Sequence, residues 1–194
     1  MRAILQRREG FFMTSALLVS AASIVIGLLG QLAIPLPFTP IPIVTQLQAI
    51  LMLGLLFGAR RAASAVLLFL MQGAMGLPVF AGGAAGWAVL IGPRGGYLIG
   101  YLIAAYAVGW IGAKIKEKTA LKTLLVLCMG NGIVYLFGAA HLASFVGPAQ
   151  AFWLGITPFV LVDLFKDIVC LKILCYLGWD CTGRIHNRNR NYIP

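Results

Sequence analysis

Apolar runs of membrane-helix length, interrupted by short polar or basic punctuation, repeat along this chain from Phe11 onward. The first run, Phe11 to Gly30, ends in Ile34-Pro35-Leu36-Pro37-Phe38-Thr39-Pro40-Ile41-Pro42, where four prolines forbid a regular helix. The second run, Ile43 to Ala59, reaches Arg60 and Arg61, and the third spans Ala62 to Met75. Next, Gly76 to Gly96 holds seven glycines and two prolines in 21 residues, so no long helix persists there. The residues between those breakers are apolar, which predicts a segment folded back on the bundle rather than a solvated loop. The remaining runs are Tyr97 to Gly112, Leu121 to Val146 and, past the turn at Gly147-Pro148, Phe152 to Leu177. In the last of these Thr157-Pro158 reads as an N-cap followed by proline at the first helical position.

Composition turns this pattern into a class. Of the 194 residues, 61% are hydrophobic and only 10% charged, and the mean hydropathy of +0.95 is incompatible with a soluble domain of this size. At about 20 apolar residues per crossing, the expectation is an all-α integral membrane protein with six transmembrane helices in one domain, residues 1–194. The net charge of +10 would suggest nucleic acid if it were spread over one face. Instead, twelve of the fifteen Lys and Arg fall in four clusters, at residues 2–8, 60–61, 114–122 and 184–190, with two apolar runs between successive clusters. Under the positive-inside rule this spacing predicts an even number of spans with both termini cytoplasmic. The basic residues then report topology, and no nucleic-acid partner is expected.

Cys128, Cys170 and Cys175 fall in apolar runs and Cys181 in the basic tail, a distribution that does not suggest a disulfide framework.

Against that background the last run is unusual, because Asp163, Lys166 and Asp167 lie inside it. Ionisable groups at membrane depth are costly unless paired or used, and spacings of three and four residues put these on one helical face. At 1.5 Å per residue, Asp163 sits about 8 Å below a helix start at Pro158, which predicts a polar site near the outer surface. An ion pair that merely locks two helices together is the alternative. Gln46, Gln48, Gln72 and Asn131 also fall in apolar runs, where amides either line a cavity or join helices.

Several chemistries have no signature here. No Gly-Lys dipeptide occurs, so the phosphate-cradling ATPase loop is absent, and neither HExxH nor CxxC occurs. With His141 and His186 far apart there is no recognisable zinc site. No nucleophile and base pair suggests an enzyme, and no cofactor is expected.

Four motifs in order carry a resemblance over nearly the whole chain: Pro37-Phe38-Thr39-Pro40-Ile41-Pro42-Ile43 with Gln46; Gly76-Leu77-Pro78-Val79-Phe80-Ala81-Gly82-Gly83; Gly92-Pro93-Arg94-Gly95-Gly96-Tyr97; and Pro158-Phe159 with Asp163 and Lys166. Together they resemble the BioY family, the biotin-specific S components of energy-coupling factor transporters. The resemblance implies a six-helix subunit of a bacterial cytoplasmic (inner) membrane, working with a transmembrane coupling protein and two cytoplasmic ATPases. It also implies that Asp163, Lys166 and Gln46 contact the ligand.

That ligand suits the residues chemically. Biotin's ureido ring offers N–H donors to a carboxylate such as Asp163 and a carbonyl acceptor to an ammonium such as Lys166. Its carboxylate suits Arg94, whose guanidinium can hold it with two parallel bonds. Phe80, Trp87 and Tyr97 are the expected apolar walls, although each also suits a core or interfacial role. In the first span, Ala16 and Ser20 form a small-xxx-small step that lets a helix approach closely. By resemblance this step docks on the coupling protein. The expected function is therefore high-affinity biotin capture beneath a lid at Gly76 to Gly96. A proton-coupled secondary carrier using Asp163 or Asp167 is the rival reading.

Overall fold

The computed structural model describes residues 2–179, with side chains from Met13 onward; the Arg184–Arg190 cluster lies outside that range, as do the side chains of Arg2, Arg7 and Arg8. Helix α1 covers Arg2–Gly30, α2 Gln46–Phe57, α3 Ala59–Ala74, α4 Trp87–Ile91, α5 Gly95–Lys114, α6 Ala120–Val146, α7 Pro148–Gly155 and α8 Thr157–Tyr176. A single 3-10 turn, Ala81–Gly83, lies between α3 and α4. The four middle runs become α2, α3, α5 and α6 within a few residues of the expected boundaries, whereas α1 begins at Arg2, nine residues ahead of Phe11, and the run from Phe152 to Leu177 is divided between α7 and α8.

Two features were not anticipated. The proline loop closes on itself through strands β1 (Ala33–Ile34) and β2 (Ile43–Val44), antiparallel with Ala33 opposite Val44 and Ile34 opposite Ile43. Prolines exclude a helix between them, and this short ladder satisfies the backbone groups that the loop's ends would otherwise leave open. The chain is therefore mostly helical rather than purely so. The second is α7, a separate two-turn helix joined to α8 through the single residue Ile156 (φ −123°, ψ −58°). Thr157 is consequently not the N-cap of α8: it is already helical, and its hydroxyl donates back to Phe152 O at 3.3 Å.

Helix α5 is central, packing against α2, α3 and α6. Its small residues allow that approach. A side chain at Gly109 would run into the backbone of Ala59 at the α2–α3 corner, and one at Gly138 of α6 would run into the Tyr97 ring. Ile50, Leu51, Phe69, Val108, Leu127, Leu142 and Leu174 are fully buried, while Leu17, Leu121, Leu136, Leu161 and Phe165 stand exposed on the outside. A perimeter of large apolar side chains around an apolar core suits a lipid solvent.

Among the described residues, α1 (from Met13), α5 and α6 are long and apolar enough to cross a bilayer. At 1.5 Å per residue α2 is about 18 Å long and α3 about 24 Å, short of the ~30 Å hydrocarbon layer. Helix α8 has the length but carries Asp163, Lys166, Asp167 and Lys172. Cys128 and Cys170 are free thiols, whereas Cys175 is disulfide-bonded, which corrects the cysteine expectation at that position.

Candidate functional site

At the end of the bundle opposite the Arg60–Arg61 corner, the proline loop, the Gly76–Gly96 segment and the starts of α5 and α8 converge on two adjoining cavities of about 30 Å³ each. Ile41, Pro42, Val44, Tyr97 and Tyr101 line both. Gln46, Phe80 and Arg94 line the first, and Tyr135, Phe159 and Asp163 the second.

Asp163 is 4% exposed. Its Oδ1 accepts from Lys166 Nζ at 2.9 Å and its Oδ2 from the Tyr135 hydroxyl at 2.5 Å. Lys166 also donates to Val44 O at 2.8 Å. Because Val44 belongs to β2, the ammonium ties α8 to the closing ladder of the proline loop. The i, i+3 pair is therefore held at both ends, with the carboxylate on a cavity wall rather than sealed against lipid.

Gln46 opens α2 and is 1% exposed, yet its Nε2 has no hydrogen-bond partner. An orphaned amide donor buried beside a cavity is what a site offers to a ligand acceptor. Its seat is formed in part by Gly30, where a Cβ would come within 2.8 Å of Gln46 Oε1. Arg94 is half-buried and donates through Nε to Pro40 O at 2.9 Å. It lines the first cavity and also a neighbouring, more open hollow of about 310 Å³ bounded by Pro40, Ala88, Val89, Gly92 and Pro93.

Phe80 is fully buried, edge-on to Phe69 at 5.4 Å between ring centres, and it fills the space left by Gly73. It anchors the Gly76–Gly96 segment to α3 while presenting part of its surface to the first cavity. Tyr97 lies between both cavities, with its hydroxyl donating to Gly155 O at 2.8 Å. Thr39 makes a parallel tie from the proline loop to Leu154 O at 2.9 Å. These bonds serve carbonyls at the α7–α8 break and fix α8 relative to the loop. Trp87 departs from expectation: it is 66% exposed and lines neither cavity. Gly86, at φ 87°, redirects the chain immediately before it, and the indole is left on the outer side of α4.

Two lining groups were missed from the sequence. Tyr101 is one turn below Tyr97 on α5, and Tyr135 is one turn beyond Asn131 on α6. Each pair has the i, i+4 spacing of one helical face, a signal that was available. Gln72 joins helices, accepting from Ser23 at 2.8 Å. His141 Nε2 lies 3.3 and 3.2 Å from the carbonyl oxygens of Ile91 and Gly92, so the ring donates to them and holds the end of α4. Lys172 is exposed and forms no ion pair with Asp167. Far from the cavities, Ala16 and Ser20 are exposed on α1, and Ala16 borders a groove of about 290 Å³ shared with Arg60, Arg61 and Ser64.

The arrangement offers a carboxylate, an ammonium, a guanidinium and an orphaned amide donor around an otherwise apolar hollow. Comparisons with known proteins are specific. The BioY family matches residues 4–179. A probable biotin transporter BioY from Pyrococcus horikoshii is 37% identical over 134 residues, covering 69% of this chain and 78% of that protein. The biotin transporter BioY2 of Lactococcus lactis is 34% identical over 157 residues, 80% of this chain and 85% of its own length. Among solved structures, the S-component for biotin from an ECF-type ABC transporter superposes with a TM-score of 0.79 at 30% identity, covering 87% of this chain and 93% of the other. The match runs through every element that builds the site, and the chain belongs to the BioY family.

Proposed function

We propose that this protein captures biotin as the S component of an energy-coupling factor transporter in a bacterial cytoplasmic membrane. The observation that carries the reading is the Asp163–Lys166 pair: a buried carboxylate on a cavity wall, its ammonium partner held by a loop carbonyl, in a chain similar along most of its length to an S component for biotin. In this reading Asp163 accepts from the ureido N–H groups and Lys166 donates to the ureido carbonyl. Gln46 supplies its free amide, Arg94 meets the carboxylate, and Phe80 and Tyr97 pack on the rings and chain. Trp87 is left out of the contact set because of its exposure.

The full proposal is one domain of six spans with both termini cytoplasmic. Helices α2 and α3 cross by tilt or local bilayer thinning, and α8 crosses with Asp163, Lys166 and Asp167 turned toward the bundle and Lys172 outward near its far end. Gly76–Gly96 acts as the lid. In this reading that lid and the proline loop, which together wall the two cavities, part to admit biotin. The exposed step at Ala16 and Ser20 docks on a coupling protein, and two ATPases supply the energy. No chemical conversion and no cofactor belong to this role.

The test is equilibrium binding of labelled biotin to the purified chain. Saturable binding is expected, with Asp163→Asn and Lys166→Met each losing about 2 kcal/mol or more, roughly thirtyfold in Kd. Unchanged affinity in both variants, or no binding by the unaltered chain, would overturn it.

A further inference from the structure

The segment from Gly76 to Gly96 is held unevenly. Its first half is fixed to α3: the Phe80 ring fills the notch at Gly73, Leu77 N donates to Gln72 O at 3.1 Å, and Gly86 N donates to Gly73 O at 2.7 Å. Gln31 adds a bond from α1 to Pro78 O at 3.0 Å, and Phe80 N closes the turn on Ala84 O at 3.1 Å. Helix α4, which follows, has no buried residue. Trp87 and Ile91, at i, i+4 on its outer face, are 66% and 68% exposed, while Val89 and Leu90 pack inward. Val89 and Arg94 line both the first closed cavity and the open hollow of about 310 Å³. The wall between hollow and cavity is therefore made in part by the least secured element of the segment.

One side chain fastens the far end of α4 to the bundle. His141 of α6 donates from Nε2 to Ile91 O and Gly92 O, at 3.3 and 3.2 Å. Glycines make room for this contact: a Cβ at Gly95 would fall 1.8 Å from Leu90 O, and one at Gly96 would fall 2.4 Å from the His141 Cβ. The ring is also placed edge-on to Phe145, at 5.4 Å between ring centres. At the near end Gly86 holds φ 87°, a region where glycine moves freely and other residues are strained. An element with little buried surface, a glycine pivot and one side-chain clasp opens at low cost. We infer that α4 is the gate between the open hollow and the closed cavities, and that His141 is the positioning residue whose clasp sets the rate of ligand exchange. The inference narrows the opening of the lid to α4 and rests on biotin capture for its ligand, but the gate itself can be measured without one. The clasp lies on the α4 and Gly92 carbonyls rather than on the ligand, so its loss eases opening alike in the empty and the loaded chain. Entry and exit then quicken together and their ratio is kept.

The first measurement is amide hydrogen exchange, read by mass spectrometry, of the full ligand-free chain in lipid nanodiscs. In the unaltered protein Trp87–Gly92 should exchange faster than Leu77–Phe80. His141→Phe keeps a ring and removes the donor; it should speed exchange over Trp87–Gly92 about fivefold, the factor carried by one net hydrogen bond, and leave Leu77–Phe80 unchanged. His141→Gln, which retains an amide donor, should restore most of the protection. Stopped-flow binding of biotin to His141→Phe should show association and dissociation rate constants each raised about fivefold, with Kd kept within about twofold. Equal exchange of the two stretches in the unaltered chain would overturn the gate, whether or not any variant folds. Exchange unchanged by His141→Phe, or faster dissociation alone with a weakened Kd, would overturn the clasp. Absence of biotin binding by the unaltered chain would instead overturn the proposed function, and hydrogen exchange would then decide the gate.

Discussion

Asp163 and Gln46 illustrate opposite ways in which one residue contributes to a site. Both oxygens of Asp163 are already served, by Lys166 and Tyr135, so the carboxylate is held in place before any ligand arrives and little ordering remains to be done on binding. Gln46 is the reverse, a buried donor with nothing to donate to, and its burial costs stability that a ligand acceptor can return. Gln46→Leu is therefore expected to raise the unfolding temperature of the ligand-free chain slightly while weakening biotin binding about fivefold or more. Thermal unfolding without biotin and titration with it measure the two sides separately; affinity unchanged by the substitution would remove Gln46 from the site.

At the scale of elements, glycine contacts set how closely α5 and α6 approach. Gly138 faces the Tyr97 ring without room for a methyl group, so Gly138→Ala should force the ring out of position and cost about 1–3 kcal/mol by overpacking. A lowered unfolding temperature together with weaker biotin binding is the expected result, because Tyr97 lines both cavities. The hydrophobic runs made most of these elements legible in advance: α1, α2, α3, α5, α6 and α8 arise from long-period apolarity that no neighbouring element needs to support. The β1–β2 ladder and the α7–α8 break were hidden because each depends on partners remote in sequence. Val44 is held by Lys166, Leu154 by Thr39 and Gly155 by Tyr97. Asp163 and Lys166 stand out by their cost in an apolar run, whereas Tyr101 and Tyr135 carry only an i, i+4 spacing to Tyr97 and Asn131, a weak signal in apolar helices until packing shows what those faces meet. The exposure of Trp87 was not legible either, because composition does not reveal which way a five-residue helix turns its first side chain.

For the molecule as a whole, the two ends differ in character. The Arg60–Arg61 corner and the Lys114–Lys122 stretch collect positive charge at one end, and Lys122 there pairs with Glu117 at 3.1 Å. Lys114 and Lys118 lie over the rings of Trp110 and Trp179, an arrangement of cations and aromatics suited to a headgroup layer. At the other end, Arg94 is the one Lys or Arg between Ala62 and Ala113. Its Nε is tied to Pro40 O, and its guanidinium stands between the open hollow and the closed cavities.

A single fixed cation at a doorway acts on a negatively charged visitor before contact is made. Its pull extends about a Debye length into solution, some 8 Å at physiological salt, and governs how often an anion arrives more than how long it stays. Stopped-flow association of biotin should therefore slow as salt is raised, and Arg94→Gln should flatten that dependence. An association rate that ignores salt in the unaltered chain would show that the doorway does not steer.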